Sequence, residues 1–147
     1  MKMKRHLALF AVCTNLLFAT SQANAAEPLE LRKIMKELGA NMQMATDGIS
    51  REDWALVENA SRQIVEHPQP SPAEQKRIAE FMGSNMEKFE ALDEKTHRAA
   101  HQMQAAARAK NGRKVIASFQ KLQSSCLACH QAFRPAFIAH FYGAPAN

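Results

Sequence analysis

The chain has 147 residues, with 19 Lys and Arg against 14 Asp and Glu, a formal net charge of +5. Three cysteines are too few for a disulfide scaffold, and cations not gathered into an arm argue against nucleic-acid binding. The chain opens on a short basic start, Met1-Lys2-Met3-Lys4-Arg5. An apolar run from Leu7 to Ala19, too short to span a bilayer, and a small-x-small site at Ala23-Asn24-Ala25 follow. These predict a signal peptide over residues 1–25, cleaved at about 25/26, and export to the periplasm without a retained membrane anchor. Residues 26–147 are then enough for one domain with one core. Cleavage removes Cys13 and lowers the charge to +2. An asymmetry survives: residues 27–94 hold all 14 carboxylates, whereas after Glu94 there are eight Lys or Arg and no acid.

The pattern is helical throughout. Leu31, Ile34, Met35, Leu38, Met42 and Ala45 form the apolar stripe of a first helix over about Leu29 to Thr46, which Asp47-Gly48 should end. Ser50 is placed to open a second helix carrying Trp54, Val57, Ala60, Ile64 and Val65, which stops before Pro68. Pro68, Pro70 and Pro72 mark a linker. Ser71-Pro72-Ala73-Glu74 then combines an N-cap, a proline at N1 and a glutamate at N3. Gly83-Ser84 divides the region to Lys110 into a short helix and a long one, closed by Asn111-Gly112. The last helix is expected from about Arg113 to Arg134, with Pro135 ending or displacing it before an apolar tail. Four amphipathic helices with short connections predict an all-α, antiparallel four-helix bundle.

On the last helix lies Cys126-Leu127-Ala128-Cys129-His130. A C-x-x-C-H run reads as a covalent attachment site for one haem c: two thiols for the vinyl groups and an imidazole for the iron. On a helix, positions 126, 129 and 130 share a face. A thioredoxin-like pair would need a βαβ context, and a structural zinc site would need a second cysteine pair; the chain has neither.

A four-helix chain with its haem motif near the C-terminus resembles the class II cytochromes c, the family of cytochrome c′ and its low-spin relatives. Cys126-Leu127-Ala128-Cys129-His130-Gln131-Ala132-Phe133-Arg134 is similar to the family's C-x-x-C-H-x-x-[YF]-R ending. Arg32-Lys33-Ile34-Met35-Lys36-Glu37-Leu38-Gly39-Ala40-Asn41-Met42 is similar to the first helix of the low-spin branch, where a methionine four residues before a glycine supplies the sixth iron ligand. The resemblance therefore implies His130 and Met35 as axial ligands. It implies a pocket role for Arg134, near a propionate, and it allows a homodimer. The stretch before the proline-rich linker is more compact than in cytochrome c′, and the tail with His140 is extra.

Each of these residues also has a plainer role. Met35 lies on an apolar stripe, where methionine usually packs; Met42 and Met44 are fallback ligands that also suit a core. Phe133 packs against haem or core, and Arg134 is also a cation near a helix C-terminus. His67 suits a helix cap. Asp93, His97 and His101 fall at i, i+4 and i+8 as a polar helix face, or as part of a metal site with no second ligand group in view.

The sequence thus points to a monohaem, periplasmic electron carrier with its iron held by His130 and Met35, not an enzyme, since no nucleophile–base arrangement is present. Its basic half suits acidic redox partner proteins. The alternative is a high-spin protein binding nitric oxide or carbon monoxide; a metal-binding or stress-protection role ranks behind both.

Overall fold

The computed structural model describes residues 29–143, so the expected signal peptide lies outside the described residues. Five α-helices follow one another: α1 Glu30–Ser50, α2 Trp54–Val65, α3 Pro72–Met82, α4 Met86–Arg108 and α5 Gly112–Tyr142. A 3-10 turn, Gly83–Asn85, joins α3 to α4. No strand occurs among the described residues. The four longer helices, α1, α2, α4 and α5, make the bundle, and α3 lies in the connection between α2 and α4.

Two three-residue connections, 51–53 and 109–111, reverse the chain by the same device. In each, the middle residue takes a left-handed conformation: Glu52 at φ 54° and Lys110 at φ 52°. The third residue then caps the next helix through its side chain. Asp53 Oδ1 accepts from the Leu56 N–H at 3.0 Å, and Asn111 Oδ1 from the Lys114 N–H at 3.1 Å. The starts of α2 and α5 meet at one end of the bundle, where a Cβ on Gly112 would sit 3.0 Å from the Trp54 ring. At the other end Leu29, Ile78, Phe137 and Phe141 share a cluster, so the start of α1 and the second half of α3 meet the end of α5.

Three expected boundaries move. α1 passes through Gly48 to Ser50, so neither Asp47-Gly48 nor Ser50 separates the first two helices. Gly48 is there for close approach: a Cβ would lie 2.9 Å from Val57 Cγ2. Asn111-Gly112 starts α5 while the Asn111 N–H still bonds back to the Ala106 carbonyl of α4, and the left-handed residue at the end of α4 is Lys110. Finally, Pro135 lies inside α5. An internal proline costs about 3 kcal/mol, whereas burying the Phe137 and Phe141 side chains beyond it returns roughly 1.5–3 kcal/mol each. Burial wins, and the tail stays helical.

The main core joins Ala45 of α1, Val57, Ala60 and Ile64 of α2, Met103 of α4, and Val115 and Leu122 of α5. α4 contributes Ala99, Ala100, Ala106 and Ala107, small side chains that let α2 and α5 pack closely. A second cluster holds Leu29, Ile78, Met82, Phe133, Phe137 and Phe141. α1 packs along α2 but meets α5 at only a few points.

The α1 and α3 N-termini cap one another. Buried Glu74 accepts from the Glu30 N–H at 2.6 Å and the Leu31 N–H at 2.7 Å, while Glu30 accepts from the Ser71 N–H at 2.7 Å. The capping box expected within α3 does not form, since the Ser71 side chain makes no capping bond. Glu74→Ala leaves two helix N–H groups without a partner. Urea unfolding of the haem-loaded variant should show a loss of about 1–3 kcal/mol with an unchanged haem spectrum.

Candidate haem-binding site

Cys126, Cys129 and His130 lie within the unbroken α5, as the expected face requires. Both cysteines are free and half-buried. Cys126 packs against the main core and Cys129 against the second cluster, so the pair bridges the two. Burial pushes both thiols above their ordinary pKa. For Cys129, the charges of Asp93 and then Cys126 add to the effect. Both therefore remain protonated thiols near neutral pH. Beside them, the Thr96 hydroxyl donates to Ser125 Oγ at 3.1 Å, and Ser125 donates to the Leu122 carbonyl at 2.8 Å, which ties α4 to α5 at the motif. His130 is exposed, with its ring free to take a ligand.

Met35 is 40 % exposed on α1 and belongs to neither cluster. The fallback residues Met42 and Met44 do pack against the main core. Gly39, one turn after Met35, is exposed, and a Cβ there would meet nothing within 4 Å. A mid-helix glycine costs about 0.5–1 kcal/mol relative to alanine, and no protein neighbour explains it.

Phe133 is a core residue of the second cluster, edge-on to Phe89 at 5.6 Å between ring centroids. Arg134 is exposed. The tail packs on α3, with His140 stacked on Phe81 at 4.4 Å. His67 does not cap α2, whose C-cap is Glu66; its ring instead meets His97 across to α4. His101 is exposed and stands apart from that pair. This His67–His97 meeting was not legible in the sequence, because 30 residues and the whole of α3 intervene.

A family model described as cytochrome c′ matches residues 27–134. The chain belongs to the cytochrome c′ family. No curated protein matches it. Membership implies a haem cofactor and a c-type cytochrome, in a family whose members are typically exported. Among the described residues, no helix is long and apolar enough to cross a membrane. The match ends at Arg134, so the last turns of α5, with Phe137 and Phe141, extend beyond the matched region.

The residues present fit a haem. Two free thiols and an available imidazole stand on one helix. α1, which meets that helix at only a few points, carries a partly exposed thioether at Met35 and an exposed glycine at Gly39.

Proposed function

We propose that this cytochrome c′ family member is a monohaem electron carrier of the periplasm, with one haem held by thioethers at Cys126 and Cys129 and its iron by His130 and Met35. The observation that supports it best is Met35 itself, a large apolar side chain left out of both clusters on a helix that meets α5 at only a few points. Cys126 and Cys129 would hold the haem as thioethers, each sulfur on one vinyl carbon and its hydrogen on the other. When bound, the haem supplies a one-electron Fe(III)/Fe(II) couple. His130 and Met35 would hold the iron, and the Met35 thioether would favour its ferrous state and exclude exogenous ligands. The half-buried cysteines would set the tethered edge against the two apolar clusters. An iron held by both residues would leave no place for a substrate, which suits a carrier of electrons. Ferrous protein should leave carbon monoxide unbound on rapid mixing; fast uptake would favour the gas-binding alternative.

An acidic redox partner is supported by the surface beside the motif. A groove of about 670 Å³ between α4 and α5 is lined by Lys95, Arg98 and Lys121 and reaches Ala128, between the two cysteines. After Glu94, Arg98 and Arg108 form ion pairs, with Glu94 and Glu58. Lys95, Lys110, Arg113, Lys114, Lys121 and Arg134 form none among the described residues. Electron transfer to an acidic partner should slow as salt rises through physiological ionic strength, where screening sets in beyond about 8 Å. Lys95→Gln with Lys121→Gln should flatten that dependence. A rate indifferent to salt in the unsubstituted protein would remove the acidic partner.

A further inference from the structure

At the end of α2, His67 Nε2 lies 3.2 Å from His97 Nε2 of α4, and His97 Nε2 lies 3.6 Å from Asp93 Oδ2, one turn earlier. One ligand atom from each residue falls within 4.8 Å of the others. We propose that His67, His97 and Asp93 form a second metal site, separate from the haem iron, for one divalent transition ion of the zinc type.

The geometry is close to what such an ion requires. Tetrahedral zinc with bonds of about 2.0–2.1 Å holds its ligand atoms about 3.3 Å apart. The two imidazole nitrogens already stand at nearly that separation, and the carboxylate oxygen lies 3.6 Å from His97 Nε2 and within 4.8 Å of the His67 ligand atom. The tautomer is set as well. His67 Nδ1 lies 2.9 Å from the Pro68 carbonyl, so Nδ1–H donates there and the Nε2 lone pair faces His97. Metal-bound histidines are held in this way by a hydrogen bond on the other ring nitrogen. An ordinary imidazole pair explains less. A hydrogen bond from His97 to His67 satisfies both rings but leaves Asp93 at 3.6 Å, beyond hydrogen-bonding reach, whereas one ion engages all three.

Two imidazoles and a carboxylate select zinc, copper, nickel or iron over calcium or magnesium. The His97 side chain is 23 % exposed and that of Asp93 is 51 % exposed, so the fourth position opens to water. The groove beside His67, about 460 Å³, is lined by Glu37 and Glu66, whose charges draw cations toward the imidazoles.

The test is equilibrium dialysis of the mature, haem-loaded protein against zinc ion alone, with bound zinc counted per chain. One zinc per chain is expected. His67→Gln and His97→Gln should each weaken binding at least tenfold, since losing even a group that merely orients a ligand costs about 10–100-fold. His101→Gln, on the exposed turn beyond, should leave binding unchanged. Should either glutamine variant fail to fold, zinc-edge anomalous scattering from crystals of the unsubstituted protein reads the site directly, with a peak between the two Nε2 atoms. No stoichiometric zinc, a peak elsewhere, or an equal loss in His101→Gln overturns the proposal.

Discussion

Replacing both Cys126 and Cys129 with alanine is expected to give a protein from which acid–acetone removes all haem and which is largely unfolded. The two thiols lie where the two apolar clusters meet, Cys126 against one and Cys129 against the other. A macrocycle tethered there would pack against both, so a chain without it would lose buried apolar contacts from each. α1 is the helix most affected, because it touches α5 at only a few points without help. Circular dichroism and haem extraction read the two consequences separately. Haem surviving extraction in the double variant would contradict covalent attachment at these residues.

Met35→Ala is expected to turn a low-spin iron into a five-coordinate, high-spin one that takes up carbon monoxide readily. The substitution removes a soft ligand and opens space on the side of the haem opposite His130. Because Met35 is 40 % exposed and packs in neither cluster, truncating it should hardly disturb the bundle, so a change of spin state reports ligation and not unfolding. A variant that stayed low-spin would point to another ligand. Met42 and Met44 are poor substitutes, since both are committed to the main core.

The four-helix bundle and the haem motif were legible because each rests on local information: the stripe from Leu31 to Ala45, or five consecutive residues from Cys126 to His130. The misplaced boundaries share one cause, a residue whose local preference yields to a neighbour distant in sequence. Gly48 looks like a helix stop but serves close approach to Val57. Asn111 tolerates a left-handed turn, yet Lys110 takes that conformation and Asn111 caps α5. Pro135 should break a helix, but the aromatic residues after it find a surface on α3 that no local window contains. Ser71 and Glu74 form a well-matched capping pair in sequence; only the fold brings Glu30 close enough to take one half of it. His67 is the clearest case at the functional level. Asp93 and His97 were visible as a helical pair, while the second imidazole beside them comes from the far side of the proline-rich linker.

The absorption spectrum of the purified protein in both oxidation states decides whether His130 and Met35 together hold the iron of a covalently bound haem. A low-spin spectrum is expected in each state, with the ferric form showing the weak sulfur-to-iron charge-transfer band at the red end of the visible that marks thioether ligation. A ferric spectrum that is high-spin and lacks this band in the unsubstituted protein would contradict it, leaving Met35 as a surface residue and the iron open to gaseous ligands.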